Sequence, residues 1–264
     1  MTTKQHREIY NKNLLHPWGD LSELGNDESS SVIVKGKGIH IFDSDGNKMI
    51  DGPAGMWCMQ TGYGRKEIAD AVSKQILSLS YATSFTLIND KETELAKRIS
   101  EQTPGDLNRI YFTTGGSTAV DSALRLCQLA NNIKGASNKK QIITREKAYH
   151  GSTYLSASVT GKERDKTAMD IKREGIHFLK APCHFYYPEF DNEDDFCDFL
   201  INELEEKIIE IGPENIMAFI AEPILASGGV IVPPKNYNYR CWEVVKRYNI
   251  ISVSYTHLRA HETA

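Results

Sequence analysis

A glycine pair placed between an apolar run and a helical pattern is the strongest chemical signal in the sequence. The pair and its successor are Gly115, Gly116 and Ser117. The β-branched and aromatic run 109–113 precedes them, and a helical pattern over 117–132 follows. Glycines let a ligand approach the backbone closely, and a helix start offers unpaired N–H groups and the positive end of a dipole. The segment therefore predicts a phosphate-binding site, which we call the phosphate seat. The alternative is a tight strand-to-helix turn that binds no ligand.

The spacing of these glycines argues against nucleotide binding. The segment has neither the Gly-Lys-Ser/Thr of a Walker loop nor the three spaced glycines of the dinucleotide fingerprint. No acidic residue that could bind a ribose follows at the expected distance, so a dinucleotide-dependent dehydrogenase is disfavoured.

Two further candidate residues follow predicted strands. Tyr149 comes after the predicted strand 141–144 and could lay its ring on a planar ligand; a hydroxyl that merely satisfies a loop is the alternative. Glu222 comes after the apolar strand 216–221. If this carboxylate is buried, it needs a partner or a functional role, because burying an unpaired charge is costly. The alternative is a carboxylate that faces solvent at the end of the strand.

Three other residues each have two interpretations. Trp57, in the glycine-rich stretch DGPAGMWCMQTGYG, either lines a substrate cleft or packs as a structural residue at a boundary between domains. Phe85, after a predicted helix over 66–80, is equally ambiguous. His150 is either a general base or a hydrogen-bonded structural histidine.

Strands and helices alternate after residue 102, which predicts an α/β fold with a mainly parallel sheet covered by helices on both faces. Before that point, turn signals in KGKG and DSDGN predict an antiparallel meander over 32–50. Ligands of such sheets bind beyond the carboxyl ends of the strands, where Gly115, Tyr149 and Glu222 fall. Helices are predicted at 66–80, 91–102, 117–132, 195–211 and 236–248, and strands at 109–113, 141–144, 216–221 and from Ile250.

The composition favours a globular cytoplasmic protein that binds neither nucleic acid nor membrane. The 264 residues carry a formal net charge of −4, so no basic surplus attracts nucleic acid or anionic lipid. No apolar run reaches membrane-spanning length, and the N-terminus lacks the apolar region of a signal peptide. Five cysteines without a CxxC pair indicate reduced thiols, and the adjacent Cys183 and His184 are interpreted as structural, with no metal expected.

Four segments, in this order, resemble the class III aminotransferases, the ω-aminotransferases that use pyridoxal phosphate. The likeness extends over about residues 14–252, and the amine:pyruvate branch is the most similar. It implies a fold type I large domain, a small domain that includes the meander, and a homodimer with active sites at the subunit interface. The four segments are DGPAGMWCMQTGYG, YFTTGGSTAVDSALRL, YHGSTYLSASVTGK and AFIAEPILASGGVIVPPKNY.

The resemblance implies a role for each candidate cofactor residue. Gly115, Gly116 and Ser117 would hold the phosphate of pyridoxal phosphate. Tyr149 would stack on the pyridine ring, while the glycine two residues later, Gly151, would keep that loop close. The resemblance also implies that Glu222, after strand 216–221, would lie under the cofactor and order its polar contacts.

The resemblance also implies a substrate pocket. Trp57 and Tyr149, with Phe85 contributed across the dimer, would shape the pocket for the substituent of the amine. Many relatives carry Glu where Thr118 stands, and Thr is tolerable at a helix start. Glutamate-dependent relatives carry a Glu at the position of Ser227, paired with the Arg that receives the second carboxylate. Because serine cannot do this, pyruvate is favoured over 2-oxoglutarate as acceptor for a primary amine or ω-amino acid.

The resemblance ends after Ser252. The family continues to an Asp that pairs with the pyridine nitrogen and, later, to the Lys of the Schiff base, whereas VSYTHLRAHETA follows here and holds neither residue type. This tail resembles translated sequencing-adapter read-through, so we expect residues 253–264 to be non-native and both catalytic residues to lie beyond the chain. Because Lys162, Lys235 and Lys246 are not at the expected position, we expect this chain alone to be inactive.

Three regions are expected along the chain. Residues 1–60 would form an N-terminal arm and the small-domain meander, residues 61–252 an incomplete cofactor-binding large domain, and residues 253–264 the non-native tail. Two alternatives to an aminotransferase remain open. One is another class III enzyme, such as an aminomutase or decarboxylase; the other is a catalytically incompetent protein that binds phosphate or pyridoxal phosphate.

Overall fold

The computed structural model describes residues 1–15, 30–166 and 170–256. The chain divides into two compact units, Met1–Asp90 and Lys91–Ala264. This division does not test the predicted domain boundaries, which stay a prediction.

The first unit contains a three-stranded antiparallel meander, as predicted. β1 pairs with β2, and β2 pairs with β3. The β2–β3 turn closes on Asp43, whose carboxylate accepts the N–H groups of Asp45 (3.0 Å) and Asn47 (2.8 Å). The elements of this unit are α1 (Thr3–Asn13), β1 (Ile33–Lys37), β2 (His40–Asp43), β3 (Lys48–Ile50), α2 (Ala54–Trp57) and α3 (Lys66–Ser78).

The second unit has the parallel sheet that the alternating pattern predicts. Four strands lie in the order β5-β4-β6-β7, and every neighbouring pair is parallel. None of the helices in the described part of the chain combines the length and apolarity that crossing a bilayer requires. The elements are α4 (Asp90–Ser100, which begins at the last residue of the first unit), α5 (Gly116–Ile133), β4 (Gln141–Arg145), α6 (Tyr154–Val159), β5 (Ile176–Leu179), α7 (Glu193–Ile211), β6 (Ile216–Ala221), α8 (Tyr237–Arg247) and β7 (Ile251–Ser254).

Helices cover both faces of this sheet. Ile143 of β4 packs with α7 and α8 in one apolar cluster, while its neighbour Ile142 packs with α5 in another. Successive strand residues point to opposite faces, so a strand buried on both sides has no polar alternation. On α5 the buried positions, including Val120 and Leu124, recur at helical spacing. The apolar covering fixes α5 on the sheet and thereby fixes where its first turn lies.

The predicted strand at 109–113 is wrong. No strand is assigned there, and Tyr111 is 70% exposed. A strand needs a neighbour that completes its backbone hydrogen bonds, and among the described residues none of β4–β7 pairs with this run. The β-branched and aromatic composition predicted a pleated conformation but not a partner.

Candidate cofactor site

The glycine pair lies at the start of α5. Gly115 directly precedes the helix, and its carbonyl accepts hydrogen bonds from the Ala119 N–H (2.9 Å) and the Thr118 hydroxyl (2.8 Å). The N–H groups of the first helical turn have no intrahelical carbonyl to bind, because the chain before them is not helical. The 18-residue helix therefore presents donors and the positive end of its dipole at this point.

The space beside Gly116 admits a polar oxygen. A Cβ at this position would collide with the hydroxyl of Tyr255, so the phenol oxygen lies directly against the helix start. The Tyr255 ring also contacts the edge of His150, with ring centroids 5.8 Å apart. Burial, and then the neighbouring Tyr149 and Glu222, raises the pKa of Tyr255 and keeps this hydroxyl protonated. Tyr255 lies in the segment 253–264 that we expect to be non-native, so the phosphate site depends on the room that Gly116 leaves and not on this phenol.

Gly151 brings the Tyr149 loop against the helix start. Its φ is +128°, and a Cβ here would lie 2.5 Å from Ser117 Oγ and 2.6 Å from Ser156 Oγ. The Ser117 hydroxyl oxygen in turn accepts the N–H of Ser152 at 3.0 Å. Only glycine permits both this backbone conformation and this approach.

Glu222 is completely buried and accepts hydrogen bonds from two backbone N–H groups. Its Oε1 accepts the N–H of Tyr149 at 2.8 Å, and its Oε2 accepts the N–H of Ala226 at 3.3 Å. Adjacent parallel strands β4 and β6 end at Arg145 and Ala221, so their carboxyl ends bring the Tyr149 loop beside Glu222. The solvent-facing alternative for this carboxylate is excluded.

His150 has the contacts of a structural histidine. It is fully buried, and its ring Nε2 lies 3.3 Å from the Thr144 hydroxyl. Its backbone N–H donates to the Thr160 hydroxyl at 3.0 Å. These bonds fix the loop that carries Tyr149, so the structure favours support over general-base chemistry.

A lysine lies over the Tyr149 ring. Lys162 Nζ is 5.6 Å from the ring centroid and 3.0 Å from Asp165 Oδ2. Burial opposes ionisation of Asp165, but hydrogen bonds from Lys162 and Arg164 outweigh it and hold the pKa of this carboxyl below its ordinary value. Burial, and then the charge of Asp165, raises the pKa of Tyr149. The Tyr149 phenol thus stays neutral beside an ion pair.

Replacing Lys162 with methionine is expected to raise the pKa of Asp165, because the carboxylate loses a cationic partner while its burial remains. A carboxyl whose pKa is lowered by folding adds stability above its ordinary value of 3.8, and that stability is lost as pH falls through the lower folded value. Lys162→Met should therefore begin acid unfolding at a higher pH than the wild type. Carboxyl NMR titration and acid unfolding measure the two effects, with exposed Lys134→Met as control. An unchanged Asp165 pKa contradicts this account.

Two of the three predicted pocket aromatics, Trp57 and Phe85, lie in the first unit. Trp57 ends α2, in which φ is positive at every residue from 54 to 57, a left-handed turn that is costly for residues other than glycine. Phe85 is 95% exposed. Their roles in a substrate pocket remain predictions, because the phosphate seat and Tyr149 belong to the second unit.

Sequence reasoning missed the contacts of two cations near the site, the completely buried Arg145 and the partly buried Lys162. Arg145 is completely buried and its Nη2 donates to the backbone carbonyl of Glu222. The available signal was position, since Arg145 ends an apolar run and stands four residues before Tyr149. Charged residues at such places are more often exposed, so the pattern alone did not single them out.

Comparisons with known proteins identify the family of this chain. The chain matches the family model Aminotransferase class-III over residues 22–254. The putrescine–pyruvate aminotransferase of Pseudomonas aeruginosa is 36% identical over 255 residues, which are 96% of this chain and 55% of the relative. A thermostable (S)-enantioselective ω-transaminase from Thermomicrobium roseum has a TM-score of 0.92 at 32% identity, covering 96% of this chain and 57% of that one. An ω-transaminase from Pseudomonas jessenii in complex with PMP has a TM-score of 0.90 at 32% identity, covering 94% and 55%.

The chain belongs to the class III aminotransferase family. It spans about half the length of the curated relatives it matches. Family membership confirms the predicted resemblance and α/β fold, and indicates pyridoxal phosphate as the cofactor. The described residues fit this group: Gly116 places no side chain between the helix start and a ligand oxygen, and Gly151 brings the loop that carries Tyr149 against Ser117.

Proposed function

We propose that the protein transfers an amino group from a primary amine or ω-amino acid to a 2-oxo acid, with pyridoxal phosphate as its cofactor. The observation that carries this proposal is a hydrogen-bonded connection between three distant segments. Ser117 accepts the N–H of Ser152, and Glu222 accepts the N–H of Tyr149. When bound, pyridoxal phosphate supplies an electron sink for the carbon that carries the amino group.

In this proposal the chain's own residues bind and orient that group. The N–H groups at the start of α5 and the Ser117 hydroxyl hold the phosphate, whose negative charge suits the positive end of the helix dipole. The Tyr149 ring covers one flat face of the pyridine. Glu222 fixes the backbone of Tyr149 and so the height of its ring. Gly151 keeps the two segments close enough for both contacts.

Three finer features belong to the same proposal. Pyruvate is the favoured acceptor, because Ser227 replaces the Glu of glutamate-dependent relatives and cannot pair with an arginine that receives a second carboxylate. The amine:pyruvate resemblance and the relative named putrescine–pyruvate aminotransferase support this choice. A homodimer follows from the family resemblance. A cytoplasmic location is supported by five cysteines that are all free.

The cofactor part of the proposal predicts that this chain binds pyridoxal phosphate and that Ser117→Ala weakens binding about tenfold, equivalent to ~1.4 kcal/mol. The variant loses a phosphate contact and also the acceptor for the Ser152 N–H. Absorbance and fluorescence titrations measure the dissociation constant, with inorganic phosphate as competitor. Exposed Ser137→Ala serves as the matched control. Binding that phosphate does not compete with, or that Ser117→Ala leaves unchanged, contradicts this seat.

The transfer reaction requires a separate assay. The whole protein should deaminate a primary amine faster with pyruvate than with 2-oxoglutarate. Cofactor binding without deamination favours a binding protein, and conversion without an acceptor favours an aminomutase or decarboxylase.

A further inference from the structure

Arg145 is a buried cation that the proposed function leaves unexplained. Its side chain is completely buried, and its guanidinium carbon lies 5.6 Å from the centroid of the equally buried Tyr237 ring. Two of its nitrogens, Nε and Nη1, have no hydrogen-bond partner within the described residues. Burying a guanidinium with incomplete partners is unfavourable, and an apolar side chain of similar volume would pack as well. Packing alone therefore does not account for an arginine here.

The remaining nitrogen of Arg145 has a defined partner. Nη2 donates a hydrogen bond to the backbone carbonyl of Glu222. Arg145 is the last residue of β4, and Glu222 directly follows the neighbouring strand β6, so this bond joins the carboxyl ends of two parallel strands. It holds the main chain of Glu222 from one side, while the carboxylate of the same residue binds Tyr149 and Ala226 on the other.

We propose that Arg145 is a positioning residue that fixes Glu222 and, through its carboxylate, the Tyr149 loop. The charge-assisted hydrogen bond to the carbonyl fixes the backbone position of Glu222. The position of its carboxylate, and of the two N–H groups that the carboxylate binds, depends on that backbone position. Arg145 itself does not contact the cofactor. Its effect on cofactor affinity rests on the proposed function, but its effect on the Tyr149 and Ala226 amides does not.

The first test measures amide hydrogen exchange in the cofactor-free chain. Arg145→Met should speed exchange of the Tyr149 and Ala226 amides about tenfold relative to buried amides of α7, and Arg145→Lys should restore part of the protection. Lys139→Met is the matched control, because it removes another buried cation that donates to a backbone carbonyl, that of Asn249 at 2.7 Å. Unchanged exchange at both amides overturns the proposal, and so does equal acceleration in Lys139→Met.

The second test is a double-mutant cycle on the dissociation constant of pyridoxal phosphate. Arg145→Met should weaken binding about tenfold in the wild type but less than twofold when Glu222→Ala is already present, because its route to the loop is gone. Additive effects indicate a merely structural role and overturn the proposal. If the wild type shows no binding but the exchange rates change as expected, the proposed function fails and the positioning role stands.

Discussion

Replacing Gly151 with alanine is expected to lower the free energy of unfolding by roughly 2–5 kcal/mol and to weaken pyridoxal phosphate binding at least about tenfold. Two causes add. The φ of +128° is strained for any residue with a side chain, and the new Cβ would lie 2.7 Å from Ser117 Cα, a backbone atom that cannot rotate away. Relief requires the Tyr149 loop to leave the start of α5. Urea unfolding and a cofactor titration measure the two losses.

Gly229→Ala is the matched control for this substitution. Gly229 has a similar φ of +117°, but a Cβ there meets no atom within 4 Å. It should therefore show only the backbone cost, roughly 1–3 kcal/mol, and bind the cofactor normally. Equal losses in the two variants would mean that the close approach to Ser117 is not what Gly151 provides.

Replacing Glu222 with alanine is expected to cost roughly 2–5 kcal/mol of unfolding free energy. The carboxylate is fully buried, and its removal leaves the N–H groups of Tyr149 and Ala226 without their acceptors. Each buried donor left unsatisfied costs about 1–3 kcal/mol. Urea unfolding gives the stability, and the dissociation constant of pyridoxal phosphate reports whether the Tyr149 ring keeps its position.

Two variants test the cause of the Glu222 effect. Glu222→Gln keeps the shape and one amide oxygen but turns an NH₂ group toward the second N–H, so an intermediate loss is expected. Glu203→Ala removes a partly exposed carboxylate that accepts the Lys180 N–H at 3.1 Å, and should cost less than Glu222→Ala because water can replace the lost acceptor. If Glu203→Ala and Glu222→Ala cost the same, burial of the carboxylate is not decisive.

The local sequence pattern predicted those elements whose hydrogen bonds join residues close together in the chain. The helix over 117–132 appears as Gly116–Ile133, and the meander over 32–50 appears as three strands, because helical spacing and hairpin turns lie within a few neighbouring residues. The run 109–113 failed for the opposite reason. A strand depends on a partner elsewhere in the chain, and its own composition carries no information about that partner.

The candidate site was predicted as a set of residues but not as a network. Gly115, Tyr149 and Glu222 were expected at the carboxyl ends of parallel strands. β4 and β6 do end beside each other, before Tyr149 and Glu222, whereas no strand precedes Gly115. The bond from the Tyr149 N–H to the Glu222 carboxylate joins residues 73 positions apart. No spacing rule reaches that distance. The burial of Arg145 followed from the same tertiary packing and was invisible for the same reason.

The hydrogen bonds between these distant segments can form only after the later partner of each pair has been synthesised. Ribosomes release the chain from its amino end at roughly 5–20 residues per second. Ser152 emerges 35 positions after its acceptor Ser117, and Glu222 emerges 73 positions after Tyr149. The Glu222 carboxylate is made only after translation has passed β6, so until then the Tyr149 N–H lacks this acceptor.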